Sequence, residues 1–188
     1  MVPAFYHYLH RWFIMRQRIS MFFLLIFSTL LLGCSATKNN VSVVTDFNKD
    51  KYLGKWYEIA RLDFRFEKDL NNTTAEYLLV QDKIKVINRG FNYKTLKWKE
   101  AVGKAKFKDN PTKGALLVSF FGPFYGEYNI IALDSDYQYA LIAGNSTKYL
   151  WILSRTRELP ESIKSEYLNI AKTFGYDVNK LIWVEHNK

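Results

Sequence analysis

Apolar and polar residues alternate in short runs through most of the chain after residue 52. Eight such runs are rich in β-branched and aromatic residues, and turn-forming segments such as DNPTKG, DSDYQ and NSTK separate them. This pattern is typical of short β-strands. The sequence predicts strands at residues 54–62, 73–80, 83–91, 97–107, 114–120, 126–134, 139–144 and 149–155.

A helical periodicity follows the eighth run. Pro160 and Glu161 begin the predicted helix and Gly175 ends it. Its apolar positions are Ile163, Tyr167, Ile170, Ala171 and Phe174. A short final strand is predicted at residues 181–185. Consecutive strands must close or leave an edge exposed, so we predict an all-β fold: an eight-stranded antiparallel up-and-down barrel with one C-terminal helix and a short last strand. The interior of such a barrel can hold one small ligand.

The front of the chain has a different pattern. Met21 to Gly33 form an apolar run of thirteen residues, which Arg16 and Arg18 precede. The run is too short to span a bilayer as a helix but suits an export signal, with a buried core helix as the alternative. We predict a signal peptide at residues 1–33, and the start of translation stays open among Met1, Met15 and Met21.

The end of this run, Leu31-Leu32-Gly33-Cys34, resembles a bacterial lipobox. The resemblance implies that Cys34 is lipidated and that several acyl chains anchor the protein in a membrane. Ser35 follows the cysteine, which implies sorting to the outer membrane. Residues 34–50 are then the lipidated N-terminus and a tether, and residues 51–188 form the folded domain.

Composition excludes several classes of chemistry. The single cysteine is Cys34, and the three histidines are His7, His10 and His186. An internal disulfide is therefore impossible, and neither a zinc cluster nor a cysteine or serine catalytic triad fits the middle of the chain. We predict no metal, no cofactor and no catalytic residue.

Basic residues dominate the chain. The predicted leader carries three arginines and no acid, so the net charge falls from +9 to +6 on its removal. Between Lys83 and Lys113 there are ten lysines or arginines against two acids, Glu100 and Asp109. This segment is either a solvated face or a surface attracted to anionic lipid. It carries no nucleic-acid recognition motif.

Three segments in order resemble the signature regions of the lipocalins. They are Gly54-Lys55-Trp56-Tyr57, the approach from Asp134 to Ala140, and Leu153-Ser154-Arg155-Thr156. The stretches YLGKWYEIAR and VSFFGPFYG, with the lipobox, resemble the bacterial outer-membrane lipocalins in particular. The resemblance implies that Arg155 lies across the Trp56 ring at the closed end of the barrel, and that Gly54, Trp56 and Arg155 are structural.

Alternation predicts which residues line the barrel. If Trp56 and Arg155 face inward, the inward set includes Trp151, Ala140 and Ile142, and on the sixth strand Tyr125, Glu127, Asn129 and Ile131. The family resemblance adds Tyr77, Val118 and Phe120. We expect these residues to bind an acyl chain or simply to pack together. Glu127 would disfavour an anionic headgroup.

The function implied by the resemblance is a lipid-binding outer-membrane lipoprotein, with its barrel facing the periplasm. It would store or transport fatty acids or lysophospholipids and contact the membrane through its anchor. A homodimer is one possible state of the protein. Two alternatives remain open at this point: an envelope lipoprotein with a structural or stress role, and an enzyme acting on a lipid in the cavity. We expect a binding protein and not an enzyme.

Overall fold

The computed structural model describes residues 41–187. The predicted leader, Cys34 and the first part of the tether lie outside this range. Eight strands form in sequence order: β1 Gly54–Leu62, β2 Leu70–Val80, β3 Lys83–Asn92, β4 Lys97–Phe107, β5 Ala115–Phe121, β6 Phe124–Leu133, β7 Tyr139–Ala143 and β8 Leu150–Ser154. A short helix α1, Lys49–Tyr52, precedes them. Helix α2, Glu161–Thr173, a 3₁₀ turn, Val178–Lys180, and strand β9, Leu181–Trp183, follow.

The eight strands close into a barrel. Each pairs antiparallel with its neighbour in sequence, and β1 pairs with both β2 and β8, so the sheet has no free edge between first and last strand. Strand β9 pairs antiparallel with the last residues of β1, Ala60 to Leu62, which lie beyond the part of β1 that pairs with β2. The predicted fold class is confirmed. All strands of the barrel come from residues 41–187, so the chain after Cys34 contains the complete sheet.

Local differences from the prediction have local causes. Strand β2 begins at Leu70, three residues before the predicted start, and its pairing with β3 is irregular between Asn71 and Thr74. Asn72 has a positive φ of 51°, which interrupts the alternation by which a strand is recognised. Helix α1 was not predicted because one turn is too short to show a period. The Asn48 side chain caps it by accepting hydrogen bonds from the backbone N–H groups of residues 50 and 51.

Two hydrophobic clusters hold the fold together. One fills the interior around Trp56, Tyr77 and Ile130. The other lies between the outside of the barrel and helix α2, where Tyr167 and Ala171 are buried as the helical spacing predicts. The Tyr167 hydroxyl donates a hydrogen bond of 2.9 Å to the backbone carbonyl of Tyr139, which fixes the helix against β7. Within residues 41–187, no helix has the length and apolar character needed to cross a membrane.

Candidate ligand-binding site

One end of the barrel is sealed by Trp56 and Arg155. The Trp56 side chain is fully buried, and the guanidinium carbon of Arg155 lies 3.8 Å from the centre of its ring. The same guanidinium donates hydrogen bonds to the backbone carbonyls of Lys51, Tyr52, Leu53, Lys55 and Tyr137. Gly54 completes the arrangement with a φ of +96°, a conformation that side chains with a Cβ rarely adopt. The three signature residues expected from the sequence are therefore brought together.

Above this seal, three tyrosines form the floor of the interior. Tyr52 comes from α1, Tyr77 from β2 and Tyr128 from β6. The Tyr77 hydroxyl donates to Tyr128 at 2.8 Å, and the hydroxyls of Tyr52 and Tyr128 are 2.7 Å apart. Burial raises the pKa of all three phenols well above the ordinary value, so the floor carries hydroxyl groups and no charge.

The wall above the floor is mostly apolar. Six of the residues predicted to line the interior share one cluster with Trp56: Tyr77, Val118, Phe120, Ala140, Ile142 and Trp151. Gly103 leaves room for the Phe120 ring, because a Cβ at Gly103 would lie only 2.8 Å from that ring. The interior thus presents aliphatic and aromatic surface above a row of hydroxyls.

The inward orientation predicted for Tyr125, Asn129 and Ile131 is wrong. Tyr128 and Ile130 face the interior instead. Ile131 is an extra residue in the pairing of β6 with β7, and it reverses which face the following side chains occupy. For this reason Leu133, opposite Ala140, also faces inward, although it lies an odd number of residues after Ile130.

The misassigned side chains have partners elsewhere. The Tyr125 ring lies beneath the amines of Lys104 and Lys106, at 5.7 and 4.8 Å. Ile131 packs in the cluster on the helix side. Asn129 donates a 3.3 Å hydrogen bond to Glu127.

Glu127 itself pairs with Lys108 at 2.9 Å. It shares the face of β6 that carries Asn129, so its charge does not oppose an anionic group in the interior.

A charged cluster near the open end could not be predicted from the sequence. Arg61 faces inward beside Trp151, with which it is paired across β1 and β8. Its side chain is 1% exposed and forms a 2.8 Å ion pair with Glu58. Strict alternation from Trp56 would place Arg61 outside, but Ile59 is an extra residue in the pairing with β8 and turns it inward.

The loop from β1 to β2 supplies a second carboxylate to this cluster. Glu67 Oε2 accepts a 3.0 Å hydrogen bond from the indole N–H of Trp151 and lies 3.9 Å from Arg61 Nε. Burial raises the pKa of Glu67 well above its ordinary value, and the neighbouring Glu58 carboxylate adds to the shift. Burial likewise raises the pKa of Glu58, against the attraction of Arg61.

Aromatic residues surround this open end. Phe64, on the same loop as Glu67, packs edge to face on Trp151 and Tyr149, with ring centres 5.8 and 5.6 Å apart. Phe66 contacts Phe121 at 5.8 Å between ring centres. The loop therefore covers part of the mouth of the barrel with aromatic surface.

A separate groove of about 330 Å³ lies away from this interior. It has a polar lining that includes the exposed ring of Trp98 and the side chain of His186. The His186 ring packs edge to face on Tyr57 and shares a 2.8 Å hydrogen bond with the backbone carbonyl of Glu58. The groove lacks the apolar wall of the interior. Among residues 41–187, no three acidic, histidine or cysteine side chains are grouped to hold a metal ion.

Comparisons with known proteins agree with this geometry. The lipocalin-like domain family matches residues 47–186. Outer membrane lipoprotein Blc of Escherichia coli (strain K12) is 49% identical over 159 residues, which cover 83% of this chain and 90% of Blc. The Vibrio cholerae protein of the same name is 47% identical over 165 residues, covering 87% of this chain and 96% of that protein.

More distant relatives share the architecture. Temperature-induced lipocalin-1 of Arabidopsis thaliana is 37% identical over 154 residues, covering 77% of this chain and 82% of its own length. Among solved structures, insecticyanin from the tobacco hornworm superposes with a TM-score of 0.64 at 24% identity, over 79% of this chain and 86% of that one. At this identity the likeness concerns the fold alone.

Proposed function

This chain belongs to the lipocalin-like family, and from this premise we propose that it is a lipid-binding lipoprotein of the outer membrane that stores or carries fatty acids or lysophospholipids in the cell envelope. The observation that carries the proposal is the inward face, with its apolar wall above the hydroxyls of Tyr52, Tyr77 and Tyr128. Such a lining suits one acyl chain, whose burial is worth about 0.8 kcal/mol per CH₂ before the costs of binding.

The proposed ligand-facing set follows the observed orientations. It keeps the six residues of the interior cluster that the sequence predicted and adds two of the inward residues of β6, Tyr128 and Ile130. The set is Tyr77, Val118, Phe120, Tyr128, Ile130, Ala140, Ile142 and Trp151.

The cellular part of the proposal rests on the front of the chain. A signal peptide at residues 1–33, lipidation at Cys34 and a tether to residue 50 would anchor the domain of residues 51–188, with the barrel facing the periplasm. The similarity to proteins named outer membrane lipoprotein supports this location. Radiolabelled palmitate should enter the wild-type protein in cells and not the Cys34→Ala variant, which should also leave the membrane fraction.

Binding is proposed in preference to catalysis or a purely structural role. The lone cysteine, Cys34, is the predicted lipidation site, and no histidine lies between His10 and His186, so the barrel strands contain no cysteine nucleophile and no imidazole base. Mass spectrometry of the lipid that copurifies with the protein separates the readings. A carrier returns the bound lipid intact, an enzyme yields a product, and a structural protein copurifies with no lipid.

A binding titration tests the proposal directly. The chain from Ser35 onward is delipidated and titrated with fatty acid or lysophospholipid while tryptophan emission is followed. We expect saturable binding at about micromolar concentration. Trp151→Phe should reduce the change in tryptophan emission on lipid binding. Trp98→Phe, which removes a ring that is 64% exposed, should leave that change as large as in the wild type. Sedimentation of the same sample tests whether two copies pair as a homodimer. A folded protein that binds neither lipid would contradict the proposal.

A further inference from the structure

Arg61 presents an incompletely bonded guanidinium to the interior. Its Nη1 donates to Glu58 at 2.8 Å, and its Nη2 donates to the backbone carbonyls of Glu67 and Leu70 at 2.8 and 3.1 Å. The Nε–H is buried and has no hydrogen-bond partner among the residues that the structure describes. A buried donor in this condition destabilises the folded state, because it has lost its hydration and gained no bond in return. The guanidinium therefore has a donor to offer to an incoming acceptor.

The carboxylate of Glu67 marks where such an acceptor would lie. A single oxygen, Oε2, faces two donors: it is bonded to Trp151 Nε1 at 3.0 Å and lies 3.9 Å from Arg61 Nε. The second distance is too long for a hydrogen bond. Asp63, on the same loop, is also too far away for a hydrogen bond, since its Oδ1 lies 3.8 Å from Arg61 Nε. Arg61 and Trp151 thus converge on one position that a carboxyl oxygen of Glu67 already occupies, at a distance from Arg61 that is too long for a bond.

Charge makes Glu67 the weakly held member of the cluster. Glu58 and Glu67 are both buried acids beside one guanidinium, while the Asp63 side chain is 39% exposed. Two carboxylates close together repel, and one cation cannot neutralise both. Glu58 is fixed on β1, whereas Glu67 belongs to the loop between β1 and β2, and its side chain can turn away while its backbone carbonyl keeps the 2.8 Å bond from Arg61. In water its carboxylate would regain hydration.

We propose that Arg61 and Trp151 bind the anionic oxygen of an acyl ligand, a carboxylate or a phosphate, and that Glu67 occupies this position until the ligand displaces it. The inference rests on the proposed lipid-binding function. The headgroup would lie at the mouth, and the acyl chain would extend past Ile142 toward the hydroxyl of Tyr128.

The test compares charged and neutral ligands with the same acyl chain. The delipidated chain from Ser35 is titrated with palmitate, with palmitoyl lysophosphatidate and with neutral monopalmitoylglycerol. We expect Glu67→Ala to bind one or both anions about tenfold more tightly and to leave the neutral ligand unchanged. The anion with the larger gain identifies the headgroup as carboxylate or phosphate. Asp69→Ala is the matched control, because Asp69 lies on the same loop but pairs with Lys94 at 3.1 Å.

A second variant removes the cation together with Glu58, the carboxylate that accepts its 2.8 Å bond. Arg61→Gln combined with Glu58→Gln keeps the pair neutral and should fold. We expect it to bind the anions about tenfold more weakly and the neutral ligand as before. Equal changes for all three ligands in both variants, or no change in either, would overturn the inference while leaving lipid binding intact. Failure of the wild type to bind any of the three would instead contradict the proposed function.

Discussion

The seal at the closed end yields the sharpest stability prediction. Arg155→Met retains most of the aliphatic stem but removes the guanidinium that stacks on Trp56 at 3.8 Å and bonds five backbone carbonyls. Three of those carbonyls belong to residues 51–53, at the C-terminal end of α1, where helix carbonyls lack partners of their own. The loss is therefore expected to free α1 as well as to expose Trp56.

The expected magnitude follows from these contacts. The cation–π contact contributes about 1 kcal/mol. The five bonds share three nitrogens and are not additive, so we count them as about two charge-assisted bonds at about 1.5 kcal/mol each. The sum predicts that Arg155→Met lowers the free energy of unfolding by about 4 kcal/mol. At an m-value of about 2 kcal/mol per M, the midpoint in urea falls by about 2 M.

Urea unfolding followed by tryptophan emission measures this change. Arg157→Met is the matched control, since Arg157 is exposed and its guanidinium carbon lies 5.8 Å from the Tyr57 ring. Its effect should stay within about 0.5 kcal/mol. A loss below about 1 kcal/mol for Arg155→Met, with an unchanged m-value, would refute the view that this arginine seals the barrel.

Three further substitutions test separate parts of the structure. Because burial raises the pKa of Glu67, the native state holds a proton that the unfolded chain releases as pH rises, and the wild type therefore loses stability with rising pH. Relative to the wild type, Glu67→Gln should gain stability between about pH 5 and about pH 8 in urea unfolding. A difference in the free energy of unfolding that is the same at both pH values would contradict this. Tyr128→Phe should lower the free energy of unfolding by about 1–3 kcal/mol, because Tyr77 loses its acceptor, whereas Tyr125→Phe should lower it by less than about 0.5 kcal/mol. The reverse ranking would support the orientation of β6 that the sequence predicted. Gly54→Ala should cost about 1–2 kcal/mol at its positive φ, and a neutral thermal-unfolding result would rule out that strain.

The fold could be predicted from the sequence because its main signal is repeated in every strand. Alternation over eight runs, with a helical segment after them, specifies a closed barrel and a helix on its outside. The residues that seal the closed end could be predicted as well, since their resemblance to a family extends over three ordered segments. Gly54, Trp56 and Arg155 occupy the arrangement that the resemblance implies.

The orientation of individual side chains could not be predicted where a strand contains an extra residue. Ile131 reverses the faces of β6, and Ile59 does the same in β1. Neither position carries a glycine or proline to reveal a bulge in the sequence. The same cause hid Arg61 from the sequence analysis, and its partner Glu67 comes from a loop, where alternation gives no information.

The central claim is that an acyl chain lies inside the barrel, and quenching by a dibrominated fatty acid tests it most directly, because bromine on the chain quenches only nearby indole rings. The delipidated chain from Ser35 contains Trp56, Trp98, Trp151 and Trp183. We predict saturable quenching that persists in Trp98→Phe and is mostly lost in Trp151→Phe. Quenching carried by Trp98, or no saturable quenching in a folded protein, would contradict the account.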